Sequence, residues 1–373
     1  MGNNIRPEQI SIFDFNQNRS TTKRIRFNHR YNDIVSFENL LTSWQEFLRG
    51  KKNRKDVATF TLHFSDNLVT LHQDLITKQY RHGGYFAFKI SDPKPRDIHK
   101  ASLRDRIVHH ALYRSLYPYF DRQFIFDSYS CRLGKGTYKA MDRARSFGLK
   151  VSQNNTKTAW VLKGDIRKFF ASIDHTVLKK ILRDSIEDPD TMWLLEQVID
   201  SFSTDGKPNV GLPLGNLTSQ LLVNIYMNQF DQFVKRSLKE KYYIRYADDF
   251  LIFSQSKVYL EELIPKLSQY LETNLKLSLN SKKVFIKTLA SGVDFLGWIH
   301  FSHHRILRTA TKHHMLKRLQ GNNSLETLNS YLGMLGHGNT FKLSQKIMTE
   351  SLRDKEIKES KNQNSKASNL GTK

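Results

Sequence analysis

The stretch Tyr242-Tyr243-Ile244-Arg245-Tyr246-Ala247-Asp248-Asp249-Phe250-Leu251-Ile252-Phe253 constrains this chain more than any other. Aromatic and β-branched runs flank an Ala-Asp-Asp corner, the pattern of a tight hairpin with a strand on either side. The flanks are apolar enough to be core strands, so the two acids stand at the end of a buried hairpin. Adjacent carboxylates repel each other unless a cation lies between them. A solvated Asp-Asp turn is the commoner use of such a pair, but the apolar flanks favour a corner that holds a divalent metal.

The order of elements around the hairpin supplies a third acid. A strand at 158–163 runs into Asp165, and helices follow at 175–186 and 191–202. A Gly/Pro-rich turn at Gly211–Gly215 leads into a long helix over 217–238. After the hairpin come a helix at 258–274 and a strand at 276–287. The sequence β-α-β-β-α-β is the split βαβ, ferredoxin-like arrangement. Its topology brings Asp165, at the end of the first strand, beside Asp248 and Asp249. Three acids at adjacent strand ends suit two-metal phosphoryl transfer, with two Mg²⁺ ions as the expected cofactor and Mn²⁺ as a substitute.

The flanking segments read as service to that corner. Residues 1–34 form a basic arm with little regular structure. Ser36 caps a helix whose apolar face carries Leu40, Trp44 and Phe47 and which ends at Gly50. A second amphipathic helix spans 65–80. A short strand from Phe86 ends in Asp92-Pro93-Lys94-Pro95-Arg96, a stiff turn that projects Lys94 and Arg96. A helix over 102–117 opens with Arg104 and Arg106. Lys94, Arg96 and Arg106 are candidate triphosphate contacts, because phosphoryl transfer needs cations as well as metals. Gly134-Lys135-Gly136-Thr137 lacks the first glycine of a phosphate loop, and reads instead as a basic turn opening a helix. Past the palm, 293–299 reads as one strand paired with 306–308. Basic helices then run through 312–320, 325–334 and 341–352, and a polar tail over 354–373 reads as disordered. His303, His304, His313 and His314 alternate with basic residues and point to RNA contact more than to a metal site.

Composition narrows the partners. Of 373 residues, 59 are Lys or Arg and 36 Asp or Glu, a net charge of +23, while 39% are hydrophobic. A folded chain this basic implies a polyanion, nucleic acid above all. No signal peptide or apolar run of membrane-spanning length is seen, so no membrane partner is expected. The single Cys131 excludes an intrachain disulfide or Cys-based zinc site and suits a cytoplasmic protein.

These residues resemble the reverse transcriptases. Tyr246-Ala247-Asp248-Asp249 is similar to their metal-binding box, and Asp165-Ile166-Arg167-Lys168-Phe169-Phe170 to their first catalytic block. Leu277-x-Leu279-Asn280-x-x-Lys283 resembles the block with the catalytic lysine, and Phe295-Leu296-Gly297-Trp298 the primer grip. The four blocks fall in order between Phe86 and Trp298. The resemblance implies an α+β right-hand polymerase with fingers (35–157), a ferredoxin-like palm carrying inserted finger helices (158–300) and a helical thumb (301–353). It implies metal ligation by Asp165, Ile166, Asp248 and Asp249, and proton donation to pyrophosphate by Lys283, with Lys282 leaving the register open by one. It places Phe170 under the deoxyribose and Phe169 in the core, and gives Gln220 a dNTP contact.

Leu212-Pro213-Leu214-Gly215-Asn216-Leu217-Thr218-Ser219-Gln220 is the block that speaks to subfamily. Leu214-Gly215 and Ser219-Gln220 stand where group II intron enzymes carry Gln-Gly and Ser-Pro. The block looks like that of diversity-generating retroelements, with Leu214 and Gly215 near the templating base and bearing on fidelity. Phage-defence reverse transcriptases carry similar blocks and remain the alternative. The implied partners are a structured RNA template, cDNA and dNTPs, with an accessory protein or a second copy also conceivable. A catalytically silent, maturase-like RNA binder and a nuclease are weaker alternatives, since all three acids are present and no His-Asn-His motif is.

Overall fold

The computed structural model describes residues 27–91, 95–321 and 324–351. Lys94 and the tail over 354–373 lie outside the described residues, as does most of the expected N-terminal arm. The end of that arm is not irregular: α1 (Tyr31–Val35) buries Tyr31, Ile34 and Val35. Ser36 then caps α2 (Phe37–Leu48), its Oγ accepting from the Asn39 amide at 3.2 Å. The expected 65–80 helix is preceded by one more: α3 (Lys55–Leu62) and α4 (Phe64–Ile76) meet at His63. Next come the antiparallel hairpin of β1 (Tyr85–Ile90) and β2 (Arg96–Ala101), α5 (Leu103–Asp121) and α6 (Thr137–Val151). The basic turn before α6 does open that helix. Lys135 is engaged locally, however, 3.4 Å over the Phe126 ring and donating to the Phe126 carbonyl at 2.7 Å.

The central segment follows the expected β-α-β-β-α-β topology. Its elements are β3 (Trp160–Asp165), α7 (His175–Arg183), α8 (Pro189–Ile199), α9 (Leu217–Gln232), β4 (Tyr243–Tyr246), β5 (Asp249–Ser254), α10 (Lys257–Leu275) and β6 (Phe285–Thr288). The strands form an antiparallel sheet in the order β4-β5-β3-β6. Side chains alternate across it with the period of two that strands impose. Leu162, Tyr243, Phe250 and Ile252 pack with residues of α9 and α10, whereas Val161, Ile244, Leu251 and Phe253 pack with residues of α6. Burial on both faces explains why these strands read as near-continuous apolar runs. Each fully buried Leu, Ile or Phe contributes about 1.5–3 kcal/mol. Gly164 admits no side chain, since a Cβ there would lie 2.1 Å from Phe250 Cζ in the next strand.

Two expected strands break into smaller pieces. Instead of one strand over 276–287 there is a bridge between Leu279 and Ile166, a 3-10 turn at Ser281–Lys283, and then β6. Instead of one strand over 293–299 there is a hairpin, β7 (Val293–Phe295) and β8 (Trp298–His300), completed by β9 (Arg305–Leu307). Leu296 and Gly297 turn it with φ of +54° and +85°, the pair of positive values that suits a two-residue turn. The following segment holds α11 (Thr309–Gly321), α12 (Leu325–Leu335) and a helix over 341–351. Trp298, Met315, Leu335 and Ile347 form its core.

Candidate active site

Asp165 and Asp249 face each other as the last registered pair of β3 and β5. Tyr246 pairs with Asp249 across the β4–β5 hairpin, leaving Ala247 and Asp248 as the two turn residues, with Ala247 at φ +54°. The turn is bonded directly to the first block: the Ile166 amide donates to the Asp248 carbonyl at 3.2 Å. From the other side, the Asn280 amide donates to the Asp165 carbonyl at 2.8 Å and the Arg167 amide to the Ser278 carbonyl at 2.9 Å. Three blocks distant in sequence are thus stitched by main chain into one corner.

The three acids differ in their surroundings. The Asp165 carboxylate is buried, and Lys283 Nζ donates to its two oxygens at 2.8 and 2.9 Å while Asn280 Nδ2 donates at 3.0 Å. Burial lowers the Lys283 pKa, but its bonds to Asp165 and the charges of Asp249 and Asp248 outweigh this and hold it above its ordinary value. Of the two adjacent lysines, both exposed, Lys283 is the one that bonds Asp165. Burial and the nearby Asp165 charge push the Asp248 carboxyl up. Burial, with Asp248 and Asp165, pushes Asp249 up to about 6 despite the Lys163 ammonium 3.7 Å away. Each acid makes ionisation of its neighbours harder, the condition a divalent cation relieves. The oxygen donors fit such a cation in kind. Among the described residues, however, no three His, Cys, Asp or Glu side chains are gathered as a formed metal cage.

A buried network behind the corner was not legible in advance. Arg245 is fully buried, with Nε and Nη2 each donating to Asp231 of α9 at 2.7 Å. Nη2 also donates to Ser128 Oγ at 3.1 Å, and Tyr243 Oη donates to Asp231 at 2.6 Å. The remaining nitrogen, Nη1, donates to the Ala247 carbonyl at 2.9 Å. A bidentate pair inside the core thus holds the residue immediately before Asp248. Lys163 makes a second strut, donating to the Asp294 carbonyl at 2.9 Å while facing Asp249.

The other expected site residues divide. Phe169 lies in the core and Phe170 is half-buried beside it, ring centroids 5.6 Å apart. The Leu212 amide donates to the Phe170 carbonyl at 2.8 Å, so the two expected blocks touch. Gly215, at φ +112°, passes close under the fingers, where a Cβ would lie 2.8 Å from Ile98 Cγ2. The His99 amide donates to the Leu214 carbonyl at 2.9 Å, and Asn216 bonds the His99 carbonyl at 2.7 Å and the Ala101 amide at 3.2 Å. Arg96, at the start of β2, is near enough for its charge to favour ionised Asp248. Arg106 is not brought to the acids: its guanidinium donates to Asp56 at 2.7 Å and covers the Phe47 ring. Gln220 is half-buried in the first turn of α9. Phe295 and Trp298 are buried, leaving Leu296 and Gly297 as the partly exposed tip of the expected primer grip.

Comparison with known proteins agrees with this arrangement. Residues 90–300 match the family model described as "Reverse transcriptase (RNA-dependent DNA polymerase)". Protein YkfC of Escherichia coli is 29% identical over 260 residues, covering 60% of this chain and 66% of its own length. The group II intron-encoded protein LtrA of Lactococcus lactis is 23% identical over 278 residues, covering 56% of this chain and 45% of its own. The chain thus spans less than two thirds of either relative. A solved structure of apo telomerase from Candida Tropicalis, truncated from its C-terminal domain, aligns with a TM-score of 0.45 at 12% identity, over 66% of this chain and 60% of that one. No helix among the described residues is long and apolar enough to cross a membrane. With the family match covering more than half of its length, the chain belongs to the reverse transcriptase (RNA-dependent DNA polymerase) family.

Proposed function

We propose that this protein copies a structured RNA into DNA from dNTPs at the Asp165–Asp248–Asp249 corner. The observation that carries the reading is the convergence of three separate blocks on one point, with Lys283 and Asn280 both on the Asp165 carboxylate. Asp165, Asp248 and Asp249, with the Ile166 main chain beside them, would hold two Mg²⁺ ions, or Mn²⁺. Bound there, such cations neutralise charge that develops on the transferred phosphoryl group and its oxygens. The chain supplies the rest. Lys283 keeps its proton at Nζ and is the general acid for departing pyrophosphate. Arg96 faces the triphosphate from the fingers. Phe170 lies under the sugar, Gln220 contacts the dNTP, and the Leu296–Gly297 tip bears on the primer strand. The right-hand division into fingers, palm and thumb belongs to this reading, with the basic thumb gripping template–primer duplex.

Extension of a primer on an RNA template with dNTPs and Mg²⁺ tests it directly. Loss of extension in Asp248→Ala is the expected result. A wild-type protein that is inert even with its copurifying RNA would sink the reading in favour of a silent RNA binder.

For biological role, we infer error-prone copying in a diversity-generating retroelement, supported by Leu214-Gly215 and Ser219-Gln220 and by the packing of that loop under the fingers. Leu214→Gln should change misincorporation opposite template adenine by several-fold. Sequencing cDNA made in cells decides the role: errors concentrated at adenines near a variable gene support diversification. A phage-induced repetitive or untemplated product would assign the enzyme to defence instead.

A further inference from the structure

A cavity of about 320 Å³ lies on the α6 side of the palm sheet, walled on the far side by the thumb turn at Gly336–Asn339. Phe253, at its inner end, stands four residues along β5 from Asp249, about 13 Å at the rise of a strand. It is therefore separate from the catalytic corner. Leu251, Phe253 and Leu289 close its inner end and are nearly buried, while the Phe301 and His304 rings, stacked with centroids 4.8 Å apart, stand in its wall. The rim carries Arg145, His303, His304 and His337, and among the described residues lining the cavity there is no Asp or Glu.

The walls are built and not merely adjacent. Arg305 donates from Nε to the His337 carbonyl and from Nη2 to Asp142 of α6 at 2.9 Å. The Asn339 amide donates back to the Arg305 carbonyl at 2.9 Å. His337 stacks on Tyr138 of α6, with ring centroids 3.4 Å apart and planes 14° from parallel. The thumb turn is thereby clamped to the palm with the cavity held between them.

The volume sits at the small end of ligand sites, enough for one base with its sugar and phosphate. Stacked aromatic rings alone would suit any planar group, and the Arg145 guanidinium alone any anion. The two together, with no acid present, suit a planar heterocycle joined to a phosphate. We propose that this cavity receives one unpaired nucleotide of the protein's RNA partner, its base against the Phe301 and His304 rings and its phosphate against Arg145. Unpaired bases are what proteins most often read in RNA, by stacking in such pockets. The source of the nucleotide rests on the polymerase reading above; the chemistry of the pocket does not.

The test uses the full chain with a single-stranded RNA of mixed sequence carrying 4-thiouridine, and separately the four ribonucleoside 5′-monophosphates. The expected result is photo-crosslinking to Phe301 or His337, located by mass spectrometry, and a loss of about 3- to 10-fold in single-strand affinity in Arg145→Ala. Asn339→Ala, at an exposed turn position, is a second variant that leaves the hydrophobic core intact. Crosslinks confined to the catalytic cleft, or affinity unchanged in both variants, would overturn the proposal. Saturable monophosphate binding without RNA crosslinks would overturn it too, making the occupant a free nucleotide. Primer extension measured on the same preparations separates the two readings, because cavity crosslinks in a protein that cannot extend a primer would sink only the polymerase.

Discussion

The four-stranded sheet of β3–β6 and the β1–β2 hairpin are both antiparallel, yet they are held in opposite ways. In β5, Phe250 to Phe253 are all buried, and helices cover both faces of the sheet. In β1, five of six residues are exposed, including Phe86, Phe88 and Ile90. The hairpin is held by bonds from β2 to the Leu214–Asn216 loop, by Tyr85 to Ser201 at 2.6 Å and by Lys100 to Asp56 at 2.6 Å. The acids therefore ride on packing that no single contact decides, whereas Arg96 rides on a hairpin held by a handful of polar contacts, Asn216 among them. On the proposed function, chemistry that needs fixed geometry falls on the first, and contact with a substrate that must enter and leave on the second.

The sharpest way to break the comparison is at the corner itself. Asp248→Ala should reduce primer extension on the order of 10³-fold or more, the scale of losing a main electrostatic stabiliser. It should not destabilise the fold, because it removes a half-buried carboxylate that repels Asp165 and Asp249. Thermal melting beside a gel-based extension assay checks both halves. A large drop in melting temperature would show that the acid is structural.

Arg245→Met strikes the support behind the corner. It strands the Asp231 carboxylate in the core and should lower stability by about 3–5 kcal/mol, read from the urea midpoint. Arg245→Lys keeps the charge but not the fork, nor with it the bond to the Ala247 carbonyl. It should fold, and need several-fold more Mg²⁺ for half-maximal extension. A lysine variant with wild-type Mg²⁺ dependence would show that the Ala247 bond does not position Asp248.

Asn216→Ala tests the hinge side. It removes the amide that bonds the His99 carbonyl and the Ala101 amide, costing about 1–3 kcal/mol locally. The expected signature is a rise in KM for dNTP larger than the fall in kcat. An equal fall in both kinetic terms through kcat would mean that hairpin and palm act as one rigid body.

How much of this could be read from the chain follows the same division. Palm order, the pairing of Asp165 with the hairpin and the split between Phe169 and Phe170 were all legible, because strand alternation and a buried hairpin leave few topologies. Arg245 was not. One arginine in an apolar strand reads as reaching for solvent, and its partner Asp231 sits on another element, in the last turn of α9. Nor was the ion pair of Arg106, because its partner Asp56 lies 50 residues upstream in α3. The strand expected over 276–287 is interrupted because Leu277–Asn280 bonds to the catalytic block instead of running on in the sheet. In each case a long-range polar contact overrode a local pattern.

The smallest expected effect on dNTP use, and the most specific, is at Phe170. Its ring packs edge-on against buried Phe169, and its carbonyl is fixed by the Leu212 amide, so the backbone here does not depend on the side chain. Truncation to alanine should leave dNTP incorporation within a few-fold of wild type. It should open space where a 2′-hydroxyl would otherwise meet the ring, and so raise rNTP incorporation by one or two orders of magnitude, a steric discrimination of about 1.4–3 kcal/mol. Single-nucleotide extension with matched dNTP and rNTP measures the ratio. If Phe170→Ala lowers both rates equally, the ring is part of the Phe169 core and the covered palm extends further than the comparison allows. If only the ratio moves, Phe170 marks the boundary at which fixed packing gives way to substrate.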